Sequence, residues 1–318
     1  MLEDFKDYWL IVGGANVDVK GESTSKLLLG TSNPGTVTMT AGGVARNVAE
    51  HLARLGEEVL LYALIGEDAD GEWLKQTTAK SGVATNGMIR VAGQRTGRYL
   101  GIHDSNGELI TAVADMAVNE AWDESAIQAG LRQLTHAAGM FVDANLPKHV
   151  LERFIHEAKR LGVKIVADPV SVKKAEKWKG MLDGLYLMAP SIDETEVLIG
   201  TRIKSQGDIE KAAARLLEQG VQHVMITCGT KGVYLRSSGE SAWLPSPKAA
   251  VRDVTGAGDA FTAGVMFAHR LTGSLTEQAA YGLALAGLVL SPQSSEAIQV
   301  NREALLQAAA AYADEARL

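Results

Sequence analysis

The sequence predicts an α/β fold, a doubly wound and mostly parallel sheet flanked by helices. Three observations point there. From Met140 onward, apolar strand-length runs alternate with helical stretches, the βαβα order that builds parallel sheets. Polar residues suited to a site fall just after the ends of those runs, where open α/β sheets bind ligands. Near the C-terminal end, Gly256-Ala257-Gly258-Asp259 opens an apolar, small-residue run that reads as a buried helix.

The elements follow in order. Trp9–Gly13 (WLIVG) reads as a buried first strand. Gly13-Gly14 follows it without the G-x-G-x-x-G that opens a dinucleotide-binding helix. Asn16 and Asp18 come next, as a turn pair or as groups aimed at hydroxyls; a carboxylate accepts from two adjacent hydroxyls. Ser32-Asn33-Pro34-Gly35 reads as a turn and Thr36–Met39 as an alternating strand. Ala41-Gly42-Gly43-Val44-Ala45-Arg46-Asn47 then enters a helix ending near Gly56. Val59–Gly66 is the next strand, and Asp68–Gly71 opens another helix. Residues 95–116 alternate like strands around an Asn106-Gly107 hairpin turn. Four strands follow, near Met140–Asn145, Val163–Ala167, Tyr186–Ala189 and Val224–Thr227. With no linker or repeat visible, one main domain over 1–318 is expected.

Composition narrows the function. The 318 residues are 46% hydrophobic and 22% charged, the profile of a globular protein. A net charge of −7 without a basic tract gives nucleic acid no electrostatic footprint. No apolar run approaches the roughly 20 residues of a membrane span. The start, MLEDFKDYWL, lacks a signal-peptide pattern, and Cys228 is the only cysteine, so a cytoplasmic, reducing location is expected. Cys228 itself reads as a small core residue.

The chemistry concentrates at Gly256-Ala257-Gly258-Asp259. Glycines at a helix start let a ligand approach the backbone, and the first-turn N–H groups carry partial positive charge. An acid beside bound phosphate is disfavoured by charge, so Asp259 reads as a base toward an attacking hydroxyl; a helix cap is the plainer alternative.

The string Asp253-Val254-Thr255-Gly256-Ala257-Gly258-Asp259 resembles the D-T-x-G-A-G-D signature of the ribokinase-like, or PfkB, carbohydrate kinases. Val254 stands where Thr is usual. The Gly42-Gly43 helix start with Asn47 resembles the family's other signature, in the right order, and the likeness runs from Trp9 to about Gln299. It implies a ribokinase-like fold in which segments near 17–40 and 90–116 join as a small β-sheet lid over the sugar. It implies an ATP-dependent kinase with Asp259 as catalytic base and the Gly256, Ala257 and Gly258 N–H groups stabilising the transferred phosphoryl. Asn16, Asp18, Gly42, Gly43, Asn47 and Asn145 would hold the substrate. Ser191, Thr227, Gly229 and Gly232 would line ATP with Gly256 and Gly258, and the small-residue stretch Leu283–Gly287 would flank adenine. Glu194 would reach Mg²⁺ through water, in an N-x-x-E motif whose Asn is Ser191 here. Asp253 and Thr255, with the 291–295 loop, would hold K⁺, and a homodimer would form through the lid. Ser32–Gly35, Gly42–Asn47, Asp143-Ala144-Asn145 and Asp168–Ser171 together resemble the pseudouridine kinase branch, in which Asn33, Asp143, Asn145 and Ser171 are candidates to read the base. Ribokinase, another nucleoside or sugar kinase, and a non-catalytic sugar sensor are the alternatives.

Overall fold

The computed structural model describes residues 7–247, 256–291 and 300–316. The chain opens with β1 (Tyr8–Val12), β2 (Asn16–Ser23), β3 (Gly35–Gly42), α1 (Val44–Arg54), β4 (Val59–Gly66), α2 (Ala69–Lys80) and β5 (Met88–Val91). Its middle holds β6 (Arg98–His103), β7 (Leu109–Asp115), α3 (Glu124–Gln133), β8 (Ala137–Asp143), α4 (Lys148–Leu161), β9 (Lys164–Asp168) and the single turn α5 (Val172–Ala175). The last part runs through β10 (Leu187–Met188), α6 (Ile192–Ile199), α7 (Gln206–Glu218), β11 (His223–Thr227), β12 (Val233–Arg236) and β13 (Ser241–Leu244). It ends with α8 (Ala257–His269), α9 (Leu275–Leu290) and α10 (Arg302–Ala316).

Nine strands form the main sheet in the order β13-β12-β11-β10-β9-β8-β1-β4-β5. Strands β11 through β5 are parallel, and β12 and β13 add an antiparallel edge. Every residue of β1 and of β4 is buried, because helices cover both faces. Alternate side chains go to opposite layers: Trp9 and Ile11 pack with Phe261 and Leu285, whereas Leu10 and Val12 pack with Phe154 and Leu216. From β1 the chain builds outward through β4 to β5, then returns to place β8 on the other side of β1. That reversal leaves a crevice between the carboxyl ends of β1 and β8, the place where doubly wound sheets take ligands.

A second sheet, β3-β2-β6-β7, arises from two excursions, one between β1 and α1 and one between β5 and α3. The later excursion begins its strand at Arg98 rather than near residue 90. Met88–Val91 instead pairs β4 as the edge of the main sheet, with Met88 buried. Asp18 lies on one face, aligned with Thr40 and Tyr99. The opposite face carries the apolar row Met39–Val19–Leu100–Val113, of which Met39, Leu100 and Val113 are exposed. No helix among the described residues is long and apolar enough to cross a membrane, and Cys228 is buried.

Candidate active site

Asp143, at the end of β8, organises the crevice. Its fully buried carboxylate accepts N–H groups from Gly14 at 3.1 Å, Ala45 at 3.0 Å and Asn145 at 2.8 Å. It thereby pins the loop after β1, the start of α1 and the end of β8 to one point. Burial raises its pKa and these donors oppose the rise. Gly13 and Gly14 are glycines for the same reason. A Cβ at Gly13 would lie 2.4 Å from Asp143 Cγ, and one at Gly14 would lie 2.6 Å from Asn145 Nδ2. This Gly-Gly pair makes room for Asp143 and Asn145.

Asn16 and Asp18 enter the crevice from β2. Asn16 Nδ2 donates to Asp18 Oδ1 at 2.6 Å, so the amide orients one carboxylate oxygen. Gly42 is the register partner of Asn16, and a Cβ there would come within 2.1 Å of Asp18 Oδ2. Gly43 caps α1 at φ 99°, and its Cβ would lie 2.4 Å from the Gly14 carbonyl oxygen. One glycine thus admits a carboxylate and the other admits backbone.

The two glycine-marked helix starts meet. Asn47, in the first turn of α1, donates from Nδ2 to Asp259 Oδ2 at 2.8 Å, joining residues 212 positions apart. Asp259 stands in the first turn of α8, behind Gly256 at φ 78°. Burial pushes its carboxyl up to about 7; the Asn47 hydrogen bond opposes this, and the charges of Asp143 and Asp18 add to it. A carboxyl poised there exchanges a proton readily near neutral pH. Among the described residues a Cβ at Gly256 or at Gly258 would meet nothing within 4 Å, which leaves these N–H groups room for an anion.

Of the nucleotide-side candidates, all but Gly256 line a cavity of about 380 Å³. Ser191, Thr227, Gly229 and Gly232 line it from one side, and Ala257 and Gly258 form its end nearest Asp259. Leu283, Ala286 and Gly287 of α9 supply an apolar wall suited to a flat ring. Glu194 is partly engaged already. Its Oε2 accepts the Ser191 N–H at 2.8 Å, while Ser191 Oγ accepts the Glu194 N–H at 3.3 Å, a reciprocal capping box on α6. Ser therefore does at this position what Asn also does, which is cap a helix. Asp253 and Thr255, the expected K⁺ ligands, lie outside the described residues, as does most of the 291–295 loop.

Some base-reading candidates are differently occupied. Asp143 is spent on backbone donors and the Asn145 amide. The Asn33 side chain closes its own loop, accepting from the Leu28 N–H at 2.8 Å and donating to the Leu28 carbonyl at 2.9 Å. Asn145 donates to Asp143 at 3.0 Å and accepts from Lys174 Nζ. Lys174 was invisible from sequence because it sits on the single turn α5, without periodicity to aim it. Asp168 is the other addition. Burial, with the charges of Asp259 and Glu194, holds its carboxyl well above the usual range. Its Oδ1 accepts the N–H of Val170, a β-branched residue at φ 67°. Such a conformation costs roughly 1–3 kcal/mol and clusters at functional sites.

Residues 6–300 match the family described as pfkB family carbohydrate kinase. The chain belongs to that family. Among relatives of this pfkB kinase, a pseudouridine kinase of Escherichia coli K12 is 35% identical over 82% of this chain and 83% of its own. A guanosine-inosine kinase of Exiguobacterium acetylicum is 26% identical over 88% and 93%. The structure of Arabidopsis thaliana ribokinase complexed with ribose and ATP superposes with a TM-score of 0.84 at 25% identity, covering 96% of this chain and 99% of that one. A ribokinase-like fold and a carbohydrate or nucleoside kinase class follow for this family member.

Proposed function

We propose that this kinase transfers the γ-phosphoryl group of ATP to the 5′-hydroxyl of a nucleoside, with pseudouridine the preferred acceptor. One observation carries the reading: Asp259, pushed up to about 7 and held by Asn47, lies between the polar crevice beside Asp18 and the cavity lined by Ala257 and Gly258. Pseudouridine is favoured by the 35% identical relative of that name.

Asn16, Asp18 and Asn47 hold the ribose hydroxyls, with Gly42 making room for the Asp18 carboxylate and Gly43 for the Gly14 backbone. Asp259 takes the proton as the 5′-oxygen bonds to the γ-phosphorus and the bond to the β-bridging oxygen breaks, releasing ADP. The N–H groups from Gly256 to Gly258 face the charge that develops on the phosphoryl oxygens. Mg²⁺ fits as a cation carried in with ATP. No cluster of three or more ligating side chains exists among the described residues, and Mg²⁺ tolerates a site made mainly of water and phosphate. Glu194, through its second oxygen, and Asp168, near enough to Asp259 and Glu194 to feel both charges, would face that cation through water; the ion would neutralise phosphate charge. For the base, Ser171 and the remaining donors of Lys174 replace Asp143 and Asn33 as readers. A second copy of the chain covers the apolar row on the lid.

The test is ADP formation with ATP and Mg²⁺ across pseudouridine, uridine, adenosine and ribose. The highest kcat/KM is expected for pseudouridine, since a site that pairs its additional ring N–H leaves an acceptor unsatisfied with uridine. A better ribose or adenosine rate would reassign the substrate. No ADP above the acceptor-free control would widen the reading to other sugars or to a sugar sensor.

A further inference from the structure

Arg46, the residue before Asn47, is only 4% exposed. Its guanidinium joins separate parts of the fold. Nη1 donates to the Ala41 carbonyl oxygen in β3 at 3.0 Å and to Asn47 Oδ1 at 3.1 Å. Nε donates to Thr78 Oγ1 of α2 at 3.4 Å, and Nη2 pairs with Glu50 one turn further along α1. These bonds leave Arg46 committed to protein groups rather than to a ligand.

The geometry fixes the orientation of the Asn47 amide. A guanidinium carries donors only. The Asn47 oxygen therefore faces Arg46 and its NH₂ faces the other way, toward Asp259 Oδ2 at 2.8 Å. A flipped amide would set donor against donor at Arg46 and oxygen against carboxylate at Asp259. Among the described residues Asn47 is the one side-chain donor to Asp259, whose other ionisable neighbours are acidic: Asp143 at the end of β8, Asp18 on β2 and Asp168 at the end of β9.

We propose that Arg46 is a positioning residue for the phosphoryl-transfer base: it locks the Asn47 amide so that Asp259 keeps its hydrogen bond, and through Ala41 it ties that setting to the exit of lid strand β3. The proposal rests on the kinase reading and extends it to a residue that touches neither substrate. Without the guanidinium the amide can rotate, and the carboxylate loses its donor in a pocket of like charges.

The experiment measures kcat, KM and the acid limb of kcat/KM for wild type, Arg46→Met, Arg46→Lys, Asn47→Ala and the two double variants, with melting curves to establish folding. A hydrogen bond to a charged group is worth roughly tenfold or more, so Arg46→Met should lower kcat by about tenfold and raise the acid limb by about one pH unit. KM for ATP should hold, and Arg46→Lys should recover part of the loss. On the Asn47→Ala background neither Arg46 change should move kcat or the limb further. A folded Arg46→Met with an unmoved acid limb, or an undiminished Arg46 effect without Asn47, would overturn the proposal. If Arg46→Met does not fold, Arg46→Lys alone and with Asn47→Ala makes the same comparison. Asp259→Asn separates the two levels. Full turnover in it removes the kinase mechanism itself, whereas its inactivity beside unmoved Arg46 variants removes only the role of Arg46.

Discussion

Gly42→Ala places one methyl group where the acceptor clamp has no room for it. The added Cβ would sit 2.1 Å from Asp18 Oδ2 and 2.5 Å from its Cγ. Ordinary contact begins near 3.4 Å, so the carboxylate must move by about 1 Å, which disturbs the 2.6 Å hydrogen bond from Asn16 Nδ2 to Oδ1. Displacement of about 1 Å can cost a hundredfold, and hydrogen bonds to charged groups are worth about 1.5–3 kcal/mol. The expected result is a fall of about tenfold to a hundredfold in kcat/KM for the nucleoside, carried mainly by KM, with KM for ATP unchanged. No left-handed φ constrains Gly42, so alanine suits its backbone and the fold should survive. Gly43→Ala is the contrast: its φ of 99° and the Gly14 carbonyl at 2.4 Å involve the main chain, and stability should drop. Steady-state kinetics in each substrate, with melting curves, separate the cases. An unchanged KM for the nucleoside in Gly42→Ala would refute the placement of Asp18 in the acceptor clamp.

Four further outcomes follow from the same geometry. The Asp259 carboxyl titrates at about 7 against an ordinary 3.8, so kcat/KM should fall as pH drops below about 7. The folded state also holds that proton more tightly than the unfolded one, so the group costs stability increasingly between 3.8 and about 7; Asp259→Asn should melt above wild type on the alkaline side, with the gap closing toward pH 3.8. Ser191→Ala removes the α6 cap and should cost about 1 kcal/mol in denaturant unfolding, whereas Ser191→Asn should be neutral, and equal loss in both would contradict the capping role. Leu100→Glu, in the centre of the lid's apolar row, should turn a dimer into a monomer by light scattering; a monomeric wild type would exclude the lid interface.

Much of this was legible in the sequence because it is local. Val59–Gly66 reads as a strand from eight successive residues, all of which are buried. Gly-Ala-Gly-Asp reads as a helix start that can take phosphate because the glycines and the acid are neighbours. The remainder depends on contacts across the chain. Asp143 draws donors from Gly14 and Ala45, 129 and 98 positions away, so its clamp role has no local signature, and it reads instead like a strand-end acid free for substrate. Gly13-Gly14 lacks the pattern of a nucleotide turn, and its reason is found only in the Asp143 and Asn145 side chains it accommodates. The short β5 gives four residues of weak alternation, and only pairing with β4 makes it part of the main sheet. Val170 carries no sign of its positive φ, since β-branched residues avoid that region.

The central claim is that Asp259 accepts the proton of the attacking hydroxyl. Asp259→Asn keeps the size of the side chain and removes proton acceptance. General-base catalysis contributes about 10²–10⁴-fold. Measured as ADP release with ATP, Mg²⁺ and the best acceptor of the panel, kcat should fall by about that factor while the acceptor still binds. Turnover within a few-fold of wild type would contradict the account.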